Sequence, residues 1–146
     1  VFPFFQKTVS LDEASILEAI RSAESRSRAE IRVHVARKIG KTGTLAAAQA
    51  TFNELGMHRT ELRNGVLIFV CPGEKKFAIL GDIGIHQHVN DAFWEHVKSE
   101  MQDLMKTGKL TEAICHGINL AGEKLQQYFP AGDHNPNELS NEISRD

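Results

Sequence analysis

Apolar positions along the chain switch between helical and extended spacing, and the switches mark out its elements. Ile16, Leu17, Ile20 and Ala23 recur at helical steps. Ahead of them, Ser10-Leu11-Asp12-Glu13 has the form of a capping box, with the Ser10 hydroxyl accepting from the Glu13 amide and the Glu13 carboxylate reaching back. A first helix is expected from this box to about Ser25. Residues 30–36 alternate, with β-branched side chains at every second position, as a strand does. Residues 40–44 read as a turn. Leu45, Ala48, Phe52 and Leu55 then predict a second helix that ends near Gly56, a plausible C′ residue. The run from Gly65 to Cys71 is continuously apolar, the mark of a strand covered on both faces. Pro72-Gly73 breaks it, and the short apolar run 76–80 should return as its hairpin partner. Phe93, Val97, Met101 and Leu104 predict a third helix from about Asn90 to Gly108. Thr111 can cap a fourth, carrying Ile114, Ile118, Ala121, Leu125 and Tyr128, which Pro130 stops. The remainder, AGDHNPNELSNEISRD, reads as a loose polar tail.

Helix, strand, helix, strand, strand, helix, helix describes an α/β fold, a three-layer α/β/α sandwich with a small mixed sheet and helices on both faces. The first two strands, joined through a helix, should be parallel with a right-handed crossover, and the third antiparallel to the second. A single domain over 1–130 with a tail at 131–146 suits the length of 146 residues. These strand directions have a chemical consequence. Asp82, at the end of the third strand, should lie beside Arg63 and Asn64, which precede the second, and beside Glu30, which opens the first. One polar rim is expected from residues far apart in sequence.

Composition narrows the partners. A chain that is 41% hydrophobic and 25% charged, with net charge −2, has no electrostatic footprint for nucleic acid or an anionic membrane. Its apolar runs are too short for a spanning helix. The opening VFPFFQKTVS lacks the basic and long apolar regions of a signal peptide, although a start at Val1 leaves room for a leader already removed. Cys71 and Cys115 form no CxxC pair, which favours free thiols and a cytoplasmic location over a disulfide scaffold. A monomer is expected.

Several enzyme motifs fail on inspection. Gly40-Lys41-Thr42 lies between strand and helix as a P-loop would, but the glycine needed five residues earlier is Val35. Neither cysteine has an arginine at C-x5-R spacing, and GxSxG, HExxH and a DxD after a strand are all missing. What remains is GDIGIHQHV at 81–89. Asp82 there is either a turn former and helix cap or a carboxylate that binds a hard cation, with Glu30 or Asp91 as a second oxygen donor. Asp91 also suits the first turn of a helix by itself. His86 and His88, two apart in an extended loop, could bind zinc or nickel with Asp82, or could simply be solvated. Arg63 could pair with Glu61 or Glu30, or grip a phosphate bidentately, with Asn64-Gly65 as a turn beside it.

Taken together, EIRVHV at 30–35, NELGMHRTELRNGVLIFV at 53–70, GDIGI at 81–85, Phe93-Trp94 and GINLAGEKLQQYFP at 117–130 resemble the TPM domain. That family is named for founders in the thylakoid lumen, photosystem repair and a nematode receptor regulator. The late NELSNEIS is similar to its soluble bacterial branch, and Arg28-Ala29 stands where the family usually has Ser-Gly. The resemblance implies an α/β/α sandwich and a phosphatase-like domain, with divalent-metal binding in some members and assembly or repair roles in others. Carried onto this chain, it implies a site at Asp82, Arg63, Asn64 and Glu30. One expectation is a calcium- or magnesium-binding domain with weak phosphatase activity, in which Asp82, Arg63 and Asn64 act on a phosphate ester. Asp82, Glu30 and Asp91 would then hold the metal. The other is a non-catalytic module that uses the same rim to bind a protein partner.

Overall fold

The computed structural model describes residues 10–132 and 138–146, so the opening segment 1–9 lies outside it. The elements run α1 (Glu13–Arg26), β1 (Glu30–Val35), α2 (Thr44–Glu54), β2 (Gly65–Cys71), β3 (Lys76–Gly81), α3 (Ile83–His86), α4 (Asp91–Lys106), α5 (Leu110–Gln126) and β4 (Ser144–Arg145). The strands form one sheet in the order β3-β2-β1-β4. β1 is parallel to β2, with Glu30 opposite Gly65 and Val35 opposite Val70. β3 is antiparallel to β2, with Val66 opposite Gly81 and Cys71 opposite Lys76. Both directions are those that the connections require.

The pleat of β2 divides the core. Val66, Ile68 and Val70 face α1, α4 and α5, packing with Ile16, Ile20, Val97, Met101, Ile114 and Ile118. Leu67, Phe69 and Cys71 face the other way, onto Ala48 and Phe52 of α2 and onto Met57. Every residue of β2 is buried, and that explains its unbroken apolar run. Each large side chain buried this way contributes about 1.5–3 kcal/mol relative to exposure. Gly122 lets α5 approach α1: a Cβ there would lie 2.7 Å from the Ala23 Cβ.

Three local expectations shift. The cap of α1 is Asp12, not Ser10; its Oδ1 accepts from the Ser15 amide at 3.1 Å. Thr111 does not cap α5 either, because its hydroxyl accepts from the Asp12 amide at 3.1 Å and so ties the starts of α1 and α5 together. The third shift is larger. The described part of the tail docks on the sheet: Ser144 lies opposite His34 in parallel register with β1. His34 bridges this strand, with Nδ1 2.7 Å from Ser144 Oγ and Nε2 2.8 Å from Asp146 Oδ1. The other Asp146 oxygen accepts from the Arg37 amide at 2.8 Å. Polar side chains make all of these contacts, so no apolar alternation announces the strand.

Candidate functional site

β3 ends where the Asp82 amide donates to the Gly65 carbonyl at 2.9 Å, which fixes Asp82 at the mouth of β2. Its carboxylate then caps α3, accepting from the Ile83 amide at 2.8 Å. The stretch 83–86 is therefore one helical turn rather than extended loop. Arg63 closes on the same carboxylate, Nε to Oδ2 at 2.8 Å and Nη2 to Oδ1 at 2.9 Å. Asp82 is 5% exposed, so its charge is held by a bidentate partner and a backbone amide rather than by water. The Arg63 guanidinium, raised further above its ordinary pKa by its hydrogen bonds to Asp82, stays charged.

The backbone explains why these two motifs occur together. Arg63 has φ 51°, a left-handed conformation uncommon for a side chain with a Cβ. Its carbonyl accepts from the Gly84 amide at 2.9 Å. A Cβ on Gly84 would run into the Leu62 carbonyl and lie 2.7 Å from that of Arg63, so only glycine fits. The RNG turn and the GDxG turn are two halves of one joint.

The other expected members of the rim go elsewhere. Asn64 Nδ2 donates to the Arg28 carbonyl at 2.8 Å, while the Asn64 carbonyl accepts from the Glu30 amide at 3.3 Å. Glu30 and Asp82 flank Gly65 from its two neighbouring strands, but a Leu139 methyl lies over Gly65, 3.8 Å from where a Cβ would be. Glu30, 3% exposed, turns to the docked tail, and its Oε1 accepts from the Leu139 amide at 2.9 Å. Asp91 is an exposed first-turn residue of α4, behind the cap that Asn90 makes to the Phe93 amide at 3.1 Å. His86 is exposed on α3. His88 stacks on Tyr128, ring centroids 5.0 Å apart, and meets Phe129 edge-on.

These placements correct the metal expectation. Among the described residues no group of three or more His, Cys, Asp or Glu could hold a metal ion. Calcium or magnesium on Asp82, Glu30 and Asp91, and zinc or nickel through His86 and His88, do not fit this arrangement. The physical reason is competition for lone pairs: a guanidinium and the Ile83 amide already occupy the buried carboxylate that would be the main ligand.

Two acidic residues at the same end of the sheet titrate abnormally. Burial pushes Glu24 up to about 7, reinforced by the nearby charge of Glu30 and opposed by hydrogen bonds from the Ile31 amide and Asn141. Burial also raises Glu30, against the amides of Leu139 and Glu138. Glu24 carried no signal in the sequence, because a glutamate late in a helix is ordinary and its 3.1 Å bond to Ile31 spans the turn after α1. Cys71 and Cys115 are free thiols, and burial raises both above their ordinary range, away from nucleophilic use.

The TPM domain family matches residues 6–124 of this chain. This chain belongs to the TPM domain family. The solution structure of the BA42 protein from the psychrophilic bacterium Bizionia argentinensis is 36% identical, covers 97% of each chain and superposes with a TM-score of 0.88. The N-terminal domain of a protein from P. gingivalis, 14% identical over 80% of this chain and 76% of that one, shares the fold at a TM-score of 0.66. So does the N-terminal domain of a Corynebacterium glutamicum protein, at 16% identity, 90% and 81% coverage, and a TM-score of 0.60. Among proteins with curated descriptions none matches. For this TPM domain no described helix is long and apolar enough to cross a membrane.

Proposed function

We propose that this TPM domain is a non-catalytic protein-binding module whose contact point is the Arg63–Ile83 corner, with Asp82 as the residue that positions it. One observation carries this reading: the Asp82 carboxylate accepts three hydrogen bonds, two from Arg63 and one from the Ile83 amide. A general acid or base needs a lone pair aimed at substrate, and three of the roughly four acceptor sites of this carboxylate are already taken within the protein. What the corner presents outward is different. The Arg63 side chain is 41% exposed, and a guanidinium bound bidentately keeps further N–H groups for another acceptor. Ile83 beside it is 56% exposed. A cation held rigid next to an apolar side chain suits a partner segment that offers a carboxylate beside an apolar residue.

The test uses short peptides carrying a Glu-Leu pair, titrated against the backbone amide signals. The expected result is saturable shifts at Arg63, Ile83 and Gly84 that vanish in Arg63→Glu and are not produced by a Lys-Leu peptide. Shifts that are absent, or indifferent to peptide charge, overturn the reading. So does saturable p-nitrophenyl phosphate hydrolysis that Asp82→Asn abolishes, which would return the site to phosphatase chemistry.

A further inference from the structure

At the opposite end of β2 lies a cavity of about 510 Å³, between the β2–β3 turn and the last turn of α4. That volume falls within the range of about 300–1,000 Å³ typical of small-molecule sites. Val70, Phe77, Met105 and Leu110 make its wall apolar. Lys75, Lys76 and Lys106 line it as well, and among the described residues no acidic one does. The one carboxylate in the turn, Glu74, is not among the lining residues, and its Oε2 accepts from the Ile39 amide at 2.8 Å. None of the three lysines has an ion-pair partner among the described residues. Lys75 also sits at φ 55°, a conformation in which glycine or asparagine would be the ordinary choice.

We propose that this cavity binds an amphipathic anion, an acyl or alkyl chain of medium length ending in a carboxylate or phosphate. The chain would lie along Val70, Phe77, Met105 and Leu110, and the head would sit among Lys75, Lys76 and Lys106. The charge argument excludes the neighbouring ligand classes. A cation would meet three like charges with no lining carboxylate to receive it, and a neutral chain would draw nothing from the three positive charges at the rim. The apolar wall argues against a bare inorganic ion, because such an ion would desolvate against side chains that return no hydrogen bond.

The experiment titrates the whole chain with sodium decanoate, decyl phosphate and decylammonium chloride, all below the concentrations at which they form micelles. Backbone amide shifts report the site. The expected result is one-to-one saturation by decanoate or decyl phosphate, centred on Val70, Phe77, Met105 and Leu110, with the tighter of the two naming the head group. Decylammonium should bind at least about tenfold more weakly, and replacing Lys75, Lys76 and Lys106 together by Gln should weaken the anions by about tenfold or more. All three lysines are exposed, so this variant should keep its fold. A second variant, Met105→Trp, should reduce binding of every chain by filling the cavity. Equal affinity for decylammonium overturns the proposal, as does the lack of saturable shifts at these residues. Binding only to anionic lipid vesicles, with none to the monomeric anions, overturns it too.

Discussion

At the Gly65 end of β2, Asp82 and Glu30 each accept a hydrogen bond from a fixed donor. At the Cys71 end, three lysines line a cavity that no described acidic residue lines. The two ends are roughly 20 Å apart along the strand. Each has a basic residue in the left-handed region, Arg63 at φ 51° and Lys75 at φ 55°, and among the described residues no other non-glycine has positive φ. The same backbone cost has opposite consequences. At Arg63 it aims the guanidinium at Asp82 and closes a joint; at Lys75 it holds a cation at the lip of the cavity with no ion-pair partner among the described residues. Charge enclosed on itself stabilises a corner, whereas charge left open is available to a ligand.

The strongest way to break this comparison is to open the joint. Gly84→Ala forces a methyl group against two carbonyl oxygens and is expected to cost about 3 kcal/mol or more in urea unfolding. A variant of ordinary stability would mean that the RNG and GDxG turns are not coupled as described. Asp82→Ala removes both the α3 cap and the partner of Arg63, with an expected loss of about 2–4 kcal/mol. Asp82→Asn, which can still cap, should lose less.

The acidic cluster gives the comparison a pH dependence. Between its ordinary value of 4.5 and its folded value of about 7, Glu24 holds a proton in the folded protein that the unfolded chain has released. Its contribution to stability is therefore full below pH 4.5 and is lost as pH rises through 7. Discounted for partial exposure, the change is about 1–2 kcal/mol. Glu24→Gln should flatten that stretch of the stability–pH curve and make the protein more stable than wild type at pH 8. An unchanged curve would show that burial at this end does not control its charge. The smallest effect is the sharpest contrast. Lys75→Gly should raise stability by about 0.5–1 kcal/mol, since it relieves a strained backbone and breaks no ion pair. Arg63→Gly relieves the same strain yet should lower stability, because Asp82 is left buried with its charge unpaired.

Much of the site's geography is legible in the sequence. A parallel β1/β2 pair and an antiparallel β3 follow from connection length, and they bring Asp82 to Arg63 as expected. What the reading could not supply was the competition for each lone pair. GDIGIHQHV offers Asp82 both as a helix cap and as a cation ligand; the cap is what forms, but the stretch does not show that Arg63 takes the remaining bonds to the same carboxylate. Nor does NELSNEISRD show that Leu139 covers Gly65, that Glu30 serves the tail, or that Ser144 pairs beside His34. The lysine cavity was equally hidden, because Lys75, Lys76 and Lys106 come from a turn, a strand and a helix end.

By itself the sequence determined the layers: apolar periodicity chose helix or strand, and buried surface, which is non-directional, then chose the faces. Only the tertiary structure decided which polar groups meet, because a hydrogen bond is satisfied within a few tenths of an ångström and spacing along the chain does not resolve that distance. Hence the sandwich could be read from the order of residues, whereas the closed joint at Asp82 and the open cavity at Lys75 could be read only from where the chain put them.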